Sequence, residues 1–376
     1  MKKSLKILQT VKYFSPSKGG TETVVENIIS GMIDFEKNID FTVYCSNHLK
    51  SSDRFEFNGD NYKVVKEPTL YFFKSQPLRF FYPKLKSLIS QSDVIHHHFP
   101  FPNIEFSLLL NYNLLRKKHF IITWHANIEN SRWKYLSKLY YLYINFILKI
   151  ANDIIVTSPQ LLDNSLLLKK HIEKVKVIPL CFSGQYENFI YNKNILLEKP
   201  RNILFVGKLR KYKGIDILLN AIKDIDAKLF IVGEGEEYNN LLELVNNLDI
   251  SNKVRFLRGL SDKELLEVYR MSKIFVLPSI TEAEAFGIVQ LEAMSMGLPV
   301  INTNLNSGVP FVSLDSISGL TVEPKNVNQL KNAIEKILDN QNLFETFSKN
   351  AIERSFLFTK SKMAENYHKI YKSNLQ

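Results

Sequence analysis

The feature that most constrains the fold of this 376-residue chain is an alternation of short apolar runs with amphipathic helical patterns. In the first half, a Gly-Gly break follows the first apolar run, and a helical pattern covers 22–33. The strands predicted in this half are 5–10, 41–45, 94–97, 120–123, 154–157 and 175–178. Strands that alternate with helices predict parallel, doubly wound sheets.

The same alternation restarts after a polar segment that is rich in Asn and Tyr. The predicted strands there are 202–206, 228–232, 254–256, 274–277 and 300–302, and the predicted helices are 216–222, 238–248, 262–271 and 288–296. We therefore predict a domain at 1–180, a linker at 181–200 and a second Rossmann-like domain at 201–355. Residues 356–376 are expected to form a helix that packs back towards the first domain. Ligands of such sheets bind at the carboxyl ends of the strands, so the site is expected in a cleft.

Cysteine content and apolar run length indicate the compartment. The chain has only two cysteines, Cys45 and Cys181, which cannot make a disulfide framework. They do not form a Cys-x-x-Cys pair, so the sequence does not suggest a zinc site. The N-terminal apolar run is cut off by Lys12 and Pro16, which is typical of a first β-strand and not of a signal peptide. The sequence contains no run of 18 or more apolar residues, so no membrane span is predicted. We therefore expect a protein of the reducing cytosol.

The positive charge of the chain is concentrated in its first half. The formal net charge is +11, of which residues 1–190 carry +9 and the remainder +2. We expect only the first half to meet an anionic surface, either lipid or nucleic acid. No helix-turn-helix, zinc or RNA-binding sheet motif is recognisable, which argues against nucleic acid.

The strongest signal for a site is the run Glu-Ala-Phe-Gly-Ile-Val-Gln-Leu-Glu, which lies shortly after a predicted strand. Glu284 and Glu292 are about 2.2 helical turns apart, so we expect both near one face of a helix that Phe286 and Gly287 open. The free N–H groups of these two residues and of Ile288 would form an anion site. The first carboxylate could bind sugar hydroxyls and the second a ribose. Taken alone, the pattern also fits an ordinary helix with a surface glutamate.

Together with the following Gly-Leu-Pro-Val-Ile, this run resembles the Glu-x7-Glu signature of retaining glycosyltransferases of family 4. The resemblance covers nearly the whole chain and implies the GT-B fold, an α/β architecture of two Rossmann-like domains whose parallel sheets face a central cleft. The run Val-Gly-Lys-Leu-Arg-Lys-Tyr-Lys-Gly at 206–214 resembles the family's loop for the donor diphosphate. Lys208 stands where the family usually has arginine, so a point charge replaces a bidentate contact. Arg210 is a candidate to compensate.

The resemblance also implies roles for individual residues. The implied catalytic residues are His125, Lys208, Lys213 and Glu284. The implied donor-binding residues are Gly19, Gly20, Gly207, Arg210, Arg258, Phe286, Gly287, Ile288 and Glu292. We expect Lys213 and Glu284 to lie in the cleft, so that alanine there would barely change thermal stability.

Gly19 and Gly20 follow the first strand, where glycine lets a diphosphate approach the backbone. The same position is also typical of a plain strand–helix turn. It is not the Gly-x-Gly-x-x-Gly fingerprint, which argues against a dehydrogenase. His125 ends a strand at the family's position for a histidine that binds the donor sugar. Arg258 lies in the turn that usually meets the nucleobase.

Three consecutive histidines, 96–98, suggest a metal site at first sight. Alternate residues of a strand point to opposite faces, so at most two of these rings share a face, and we predict no metal there. The resemblance places them on the acceptor side, which makes His96 and His98 candidates for acceptor binding. Packing is the alternative.

The segment 132–149 is basic and strongly aromatic, and it contains Trp133, Lys134, Lys138 and Lys149. Aromatic rings combined with lysines suit a membrane interface. A buried helix explains the Leu and Ile positions equally well. With three further basic residues at 116–118, the segment favours attraction to anionic lipid.

We therefore predict a retaining, metal-independent glycosyltransferase (a hexosyltransferase) that uses no cofactor. It would move a sugar from a UDP- or GDP-sugar to a lipid-linked glycan in O-antigen, capsule or lipopolysaccharide synthesis. We expect it in the cytoplasm, peripheral on the inner face of the cytoplasmic membrane through its N-terminal domain, with no nucleic-acid partner. The alternatives are a nucleotide-sugar epimerase of the same fold and a basic nucleic-acid-binding protein.

Overall fold

Two units make up the structure, a computed structural model that describes residues 4–17, 19–59, 61–73, 76–79, 81–127, 137–182 and 199–373. The first unit is Met1–Leu180 together with Lys360–Gln376, and the second is Cys181–Thr359. Most of the predicted linker, 183–198, lies outside the described residues.

The first unit is built around an eight-stranded sheet with the order β10-β9-β8-β7-β1-β2-β4-β3. All neighbours pair in parallel except β3 and β4. The small β5 and β6 form a separate antiparallel pair. In chain order the elements are β1 (Leu5–Thr10), α1 (Gly20–Phe35), β2 (Ile39–Ser46), β3 (Phe55–Gly59), β4 (Tyr62–Glu67), β5 (Tyr71–Phe73), β6 (Gln76–Leu78), α2 (Leu85–Gln91), β7 (Val94–Phe99), α3 (Pro102–Leu110), α4 (Tyr112–Leu115), β8 (His119–Trp124), α5 (Ser137–Ile150), β9 (Asp153–Val156), α6 (Pro159–Asp163), α7 (Leu166–Lys169) and β10 (Val175–Val177).

The second unit holds a six-stranded parallel sheet with the order β13-β12-β11-β14-β15-β16. Its strands are short, and β11, β14 and β15 are wholly buried, as expected of a parallel sheet covered on both faces. In chain order the elements are β11 (Asn202–Val206), a 3-10 turn (Lys211–Lys213), α8 (Ile215–Ala221), β12 (Lys228–Val232), α9 (Tyr238–Asn247), β13 (Val254–Leu257), α10 (Asp262–Met271), β14 (Ile274–Leu277), α11 (Val289–Ser295), β15 (Val300–Thr303), α12 (Val309–Val312), β16 (Gly319–Val322), α13 (Val327–Leu338) and α14 (Gln341–Ser355).

The last helix, α15 (Lys360–Lys372), belongs to the first unit and packs on α1. Gly31 of α1 lets the two helices approach closely, because a Cβ there would lie 3.2 Å from the Cβ of Ala364. The buried face of α15 carries Tyr367 and Tyr371, which are 1% and 0% exposed. The end of the chain thus completes the core of the first unit.

Candidate functional site

A buried ion pair joins two loops at the carboxyl ends of β11 and β14. Lys213 lies in the 3-10 turn after β11, and its Nζ donates a hydrogen bond to Oε2 of Glu284 in the loop after β14. The two residues are 7% and 8% exposed. The Ser279 hydroxyl donates to the same carboxylate oxygen at 3.0 Å. This is the carboxyl edge of the sheet, where the sequence predicts the site.

Glycines bring the loops of this edge together. Gly233, with φ +141°, passes so close to Gly207 that a Cβ would lie 2.0 Å from the Gly207 carbonyl oxygen. Gly214, with φ +65°, would place a Cβ 2.1 Å from the Pro278 carbonyl oxygen. Only glycine tolerates both the positive φ and the approach of a backbone. The loops after β11, β12 and β14 are therefore locked to one another.

Two further basic side chains lie in the same loop as Lys213, the loop after β11. Lys208 and Arg210 are both exposed, and neither side chain takes part in an ion pair within the described ranges. The backbone N–H of the intervening Leu209 donates to the Glu234 carbonyl at 2.9 Å, which fixes the loop while leaving both cations pointing to solvent. Arg258 lies over the Tyr238 ring, 4.7 Å from its centroid, and 3.6 Å from a carboxylate oxygen of Glu234.

The helix predicted at 288–296 is α11, which runs from Val289 to Ser295. Gly287 has φ +72°, so Phe286 and Gly287 lie in the loop that leads into it. Glu284 lies in this loop and Glu292 within the helix, so a helical repeat does not relate the two carboxylates. Among the described residues, the N–H groups of 286–288 donate no hydrogen bond to another backbone group, which matches the prediction that they are free.

Polar residues that no predicted motif included hydrogen-bond this loop from neighbouring elements. The Gln290 side chain donates to the Phe286 carbonyl at 3.2 Å, and its own oxygen accepts from Asn302 Nδ2 at 2.9 Å. Thr303 Oγ1 donates to the Ser279 carbonyl at 2.6 Å. A signal was available, because Asn302 and Thr303 interrupt an otherwise apolar strand.

Glu292 faces a different neighbour from Glu284. It accepts a hydrogen bond from the Tyr269 hydroxyl at 2.9 Å. Burial raises the pKa of the Glu292 carboxyl to about 7, and the hydrogen bond from Tyr269 opposes that shift. The carboxyl therefore changes charge near neutral pH. The predicted contact between Glu292 and a ribose would thus be made by a group that is only partly ionised at that pH.

In the first unit, the three consecutive histidines divide between two faces of β7 as the strand period predicts. His97 bonds to Thr10 Oγ1 at 2.9 Å and to Glu105 Oε1 at 3.2 Å. His96 and His98 lie on the other face with their ring centroids 4.4 Å apart. Both are buried, and both nitrogens of each ring already have a partner. Their assignment to the acceptor stays a prediction, and direct contact would require these bonds to break.

His125 follows β8 and is half-buried. Its Nε2 lies 2.9 Å from His98 Nδ1, and the two rings stack. Burial lowers the pKa of His125 to about 4, with a further contribution from His97. The ring is therefore neutral at physiological pH and can bind a hydroxyl either as donor or as acceptor.

Gly19 precedes α1 and Gly20 is its first residue, so the helix begins two residues before the predicted start at 22. Gly20 is exposed, and a Cβ there would meet no atom within 4 Å, whereas a Cβ at Gly19 would lie 2.4 Å from a carboxylate oxygen of Glu22. Lys18 lies outside the described residues. The open space above Gly20 leaves the first turn of the helix accessible.

The described part of the chain contains no group of three or more His, Cys, Asp or Glu side chains placed to hold a metal ion. None of its helices is long and apolar enough to cross a bilayer.

Comparisons with known proteins identify both halves of the chain. Residues 18–182 match the family model described as Glycosyltransferase Family 4, and residues 187–354 match the one described as Glycosyl transferases group 1. Among curated relatives, the O-antigen chain mannosyltransferase C of Escherichia coli is 25% identical over 99% of this chain and 99% of its own length.

Solved structures resemble the chain over almost its whole length. Sucrose-phosphate synthase from Thermosynechococcus elongatus aligns with a TM-score of 0.72 and 21% identity over 99% of both chains. The Anabaena protein HepE, solved in complex with UDP, aligns with a TM-score of 0.73 and 17% identity over 98% of this chain and all of that one. These likenesses show the fold, and with the two mainly parallel α/β units they confirm the predicted fold class.

Proposed function

Because this chain belongs to the group 1 glycosyltransferases of family 4, we propose that it transfers a sugar, with retention, from a nucleoside-diphosphate sugar to a hydroxyl of a lipid-linked glycan. The name of the E. coli relative supports an acceptor in O-antigen or related polysaccharide synthesis. The UDP bound in HepE supports a nucleotide-sugar donor. The observation that carries the proposal is the buried Lys213–Glu284 pair at the carboxyl edge of the second sheet.

The pair fits the two ends of a diphosphate-sugar. An ammonium has three donors, of which Glu284 takes one, so Lys213 can also donate to phosphate oxygens. Lys208 and Arg210 are exposed on the same loop and would neutralise the departing diphosphate. The carboxylate of Glu284, oriented by Lys213 and Ser279, would accept hydrogen bonds from sugar hydroxyls.

Retention would follow from the way the acceptor attacks. Glu284 is tied to a lysine and a serine, so we assign it to binding and not to covalent attack. The acceptor oxygen would bond to the anomeric carbon on the face from which the diphosphate leaves. The carbon–oxygen bond to the phosphate breaks, and the departing phosphate oxygen takes the acceptor's proton. In this scheme lysines and backbone N–H groups stabilise the leaving charge, and we propose that no metal is required.

A lipid-linked acceptor requires access to a membrane, and the first unit offers a surface for it. Two packed helices, α3 and α5, carry exposed apolar side chains that are 44–62% exposed, namely Phe106, Leu110, Leu142 and Phe146. We call these four the α3–α5 patch. Lys149 is exposed beside it, with its Nζ 5.4 Å from the centre of the Phe146 ring. With the net charge of +9 in residues 1–190, the patch fits an anionic lipid surface. Trp133 and Lys134 lie outside the described residues, as does the side chain of Lys138.

The function is tested by incubating the full chain with UDP- and GDP-sugars and a polyprenyl-linked glycan, and by measuring nucleotide release together with glycan mass. One donor should release nucleotide and extend the glycan by one sugar with retained anomeric configuration. Conversion of the nucleotide-sugar to an epimer without nucleotide release would contradict the proposal. Salt-dependent DNA binding with no turnover of any nucleotide-sugar would contradict it as well.

A further inference from the structure

A chain of hydrogen-bonded polar side chains runs through the interior of the first unit and ends at His125. It joins residues of β1, β7, β8 and α15 that are separated by as many as 362 positions in sequence. All of its members except His125 are at most 1% exposed. The successive links are His125 Nε2 to His98 Nδ1 (2.9 Å), His98 Nε2 to Gln9 Oε1 (2.7 Å), Gln9 Nε2 to Tyr371 Oη (2.9 Å), Tyr371 Oη to His96 Nδ1 (2.8 Å) and His96 Nε2 to Thr123 Oγ1 (2.7 Å).

The amide of Gln9 gives this chain a direction. Its oxygen can only accept, so the proton between it and His98 is on His98 Nε2. His98 Nδ1 is then an acceptor, and the proton between the two histidines is on His125 Nε2. Rotating the amide by 180° would reverse these links and move the His125 proton to Nδ1. The orientation of one buried amide therefore decides the tautomer of His125.

Tyr371 is the second hydrogen-bond partner of that amide. Its hydroxyl accepts from Gln9 Nε2 and donates to His96 Nδ1, so both of its roles are used. Its ring is fully buried and lies 5.8 Å from that of Tyr367, with the two planes tilted by 36°. Packing holds this phenol ring in place, and its hydroxyl joins the Gln9 amide to His96 in the direction described.

The direction of the chain requires neutral imidazoles. A protonated His98 would donate from both nitrogens and could not accept from His125. Burial, followed by the neighbouring histidines, holds the pKa of both His96 and His98 well below the usual value. Each ring therefore has one donor and one acceptor nitrogen at neutral pH.

We propose that Gln9 and Tyr371 are positioning residues that hold His125 in a single tautomer, with its proton on Nε2 and Nδ1 left as the acceptor. A hydroxyl of the bound substrate would then donate to Nδ1. The proposal rests on the proposed function only for the role of His125 in binding a sugar. The tautomer itself is a property of the protein without substrate.

The test is NMR of the full chain labelled with 15N-histidine, without donor or acceptor, at pH 7.5. Long-range 15N–1H correlations distinguish the two tautomers, and loss of one set of signals in His125→Asn identifies His125. The unsubstituted protein should show His125 protonated on Nε2. Tyr371→Phe keeps the buried ring and removes only the hydroxyl, and it should shift the tautomer ratio of His125 by about fivefold or more. Gln9→Met, of similar volume, should cause a shift of similar size.

Tyr82→Phe is the matched control. This substitution also removes one buried phenol hydroxyl of the first unit, which lies 2.9 Å from Ser46 Oγ. Tyr82 is not a member of the hydrogen-bonded chain that ends at His125. It should leave the tautomer of His125 unchanged. An unchanged tautomer in folded Tyr371→Phe and Gln9→Met proteins would overturn the proposal, and so would a His125 that carries its proton on Nδ1 in the unsubstituted protein.

If Tyr371→Phe does not fold, the tautomer ratio of His125 in Gln9→Met alone tests the proposal. Transfer activity is measured separately. Absence of nucleotide release would contradict the proposed function and leave the tautomer result standing.

Discussion

Lys213 and Glu284 lie 71 positions apart in the sequence and form an ion pair that is almost fully buried. Two buried opposite charges stabilise one another. Removal of either one leaves the other buried without a counter-charge, which destabilises the fold. This burial differs from the expectation that alanine at these positions would barely change thermal stability. Stability and catalysis therefore have to be separated in any test of the pair.

Lys213→Ala and Glu284→Ala should each lower the free energy of unfolding by about 3–5 kcal/mol and turnover by about 100-fold or more. The double variant Lys213→Met/Glu284→Gln leaves no unpaired charge, so it should recover much of the stability but none of the activity. Urea denaturation and nucleotide release measure the two effects.

Lys211→Ala serves as the matched control, because Lys211 lies in the same turn but is exposed and pairs with Asp216 at the surface. It should change the free energy of unfolding by less than about 1 kcal/mol. Full activity in a folded Lys213→Ala or Glu284→Ala protein would contradict the assignment of the site.

Glu292 should make stability depend on pH near neutrality. Its pKa is raised by burial from 4.5 to about 7, so the folded protein binds this proton more tightly than the unfolded chain does. The stabilisation is complete below about pH 4.5 and is lost as pH rises through 7. Glu292→Gln should therefore gain stability relative to the unsubstituted protein between pH 5 and 8.5, by up to about 3 kcal/mol.

Denaturation curves across this pH range measure the difference. The hydrogen bond from Tyr269 lowers the pKa of Glu292, so Tyr269→Phe should move the transition to higher pH. A stability difference between Glu292→Gln and the unsubstituted protein that stays constant from pH 5 to 8.5 would show that the carboxyl does not titrate there.

Gly233→Ala should be far more harmful than Gly259→Ala, although both positions have positive φ. At Gly233 the new Cβ would lie 2.0 Å from a backbone oxygen, whereas at Gly259 nothing lies within 4 Å. We expect losses of about 3 kcal/mol or more and of roughly 1–2 kcal/mol, respectively. Thermal melts compare them, and equal losses would mean that the loops after β11 and β12 are not locked.

Transfer should continue in excess EDTA, because lysines, Arg210 and backbone N–H groups are assigned to the leaving diphosphate. The measurement is the rate of nucleotide release after removal of divalent ions, with and without added Mg²⁺ or Mn²⁺. A strict requirement for either ion would mean that the stabilisation of the leaving group has been misassigned.

The chain should bind vesicles of phosphatidylglycerol strongly and vesicles of neutral lipid weakly. Each basic residue near the surface adds about 1 kcal/mol, screened over about 8 Å at physiological salt, so binding should weaken as salt rises. Leu142→Asp/Phe146→Asp, in the α3–α5 patch, should reduce sedimentation with the vesicles. Replacing Lys134, Lys138 and Lys149 with glutamate should do the same and leave donor hydrolysis intact.

Met271→Asp, at an exposed apolar position of the second unit, is the control and should bind as before. Equal sedimentation with anionic and neutral vesicles would contradict electrostatic docking. Retained binding by the double aspartate variant would place the docking surface elsewhere.

Much of the fold could be predicted because buried parallel strands read as apolar runs bounded by turns. The predicted bounds of β1, β11 and β14 are those of the structure. The strands β3, β4 and β16 were not predicted, because each contains only one or two consecutive apolar residues. The strand β3 is also largely exposed and pairs with β4 alone among the described strands.

The site could be predicted only in part. The pattern of glycines and lysines located the loop after β11, but helical spacing could not relate Glu284 to Glu292, because Glu284 lies in the loop before α11 and Gly287 of that loop has a positive φ. The bond between Gln9 and Tyr371 could not be foreseen, because nothing local in either segment indicates a partner 362 positions away.

The separation of 362 positions between Gln9 and Tyr371 affects how the chain folds during its synthesis. A ribosome releases β1 and its neighbours well before it has translated α15, yet the first unit needs that helix to cover α1 and to satisfy His96. The whole second unit is one continuous segment, Cys181–Thr359, and it emerges in between. The first half of the chain therefore remains incompletely packed until the last helix is synthesised. A nascent chain stalled before Lys360 would leave uncovered the face of α1 on which α15 packs, and His96 would lack its bond to Tyr371.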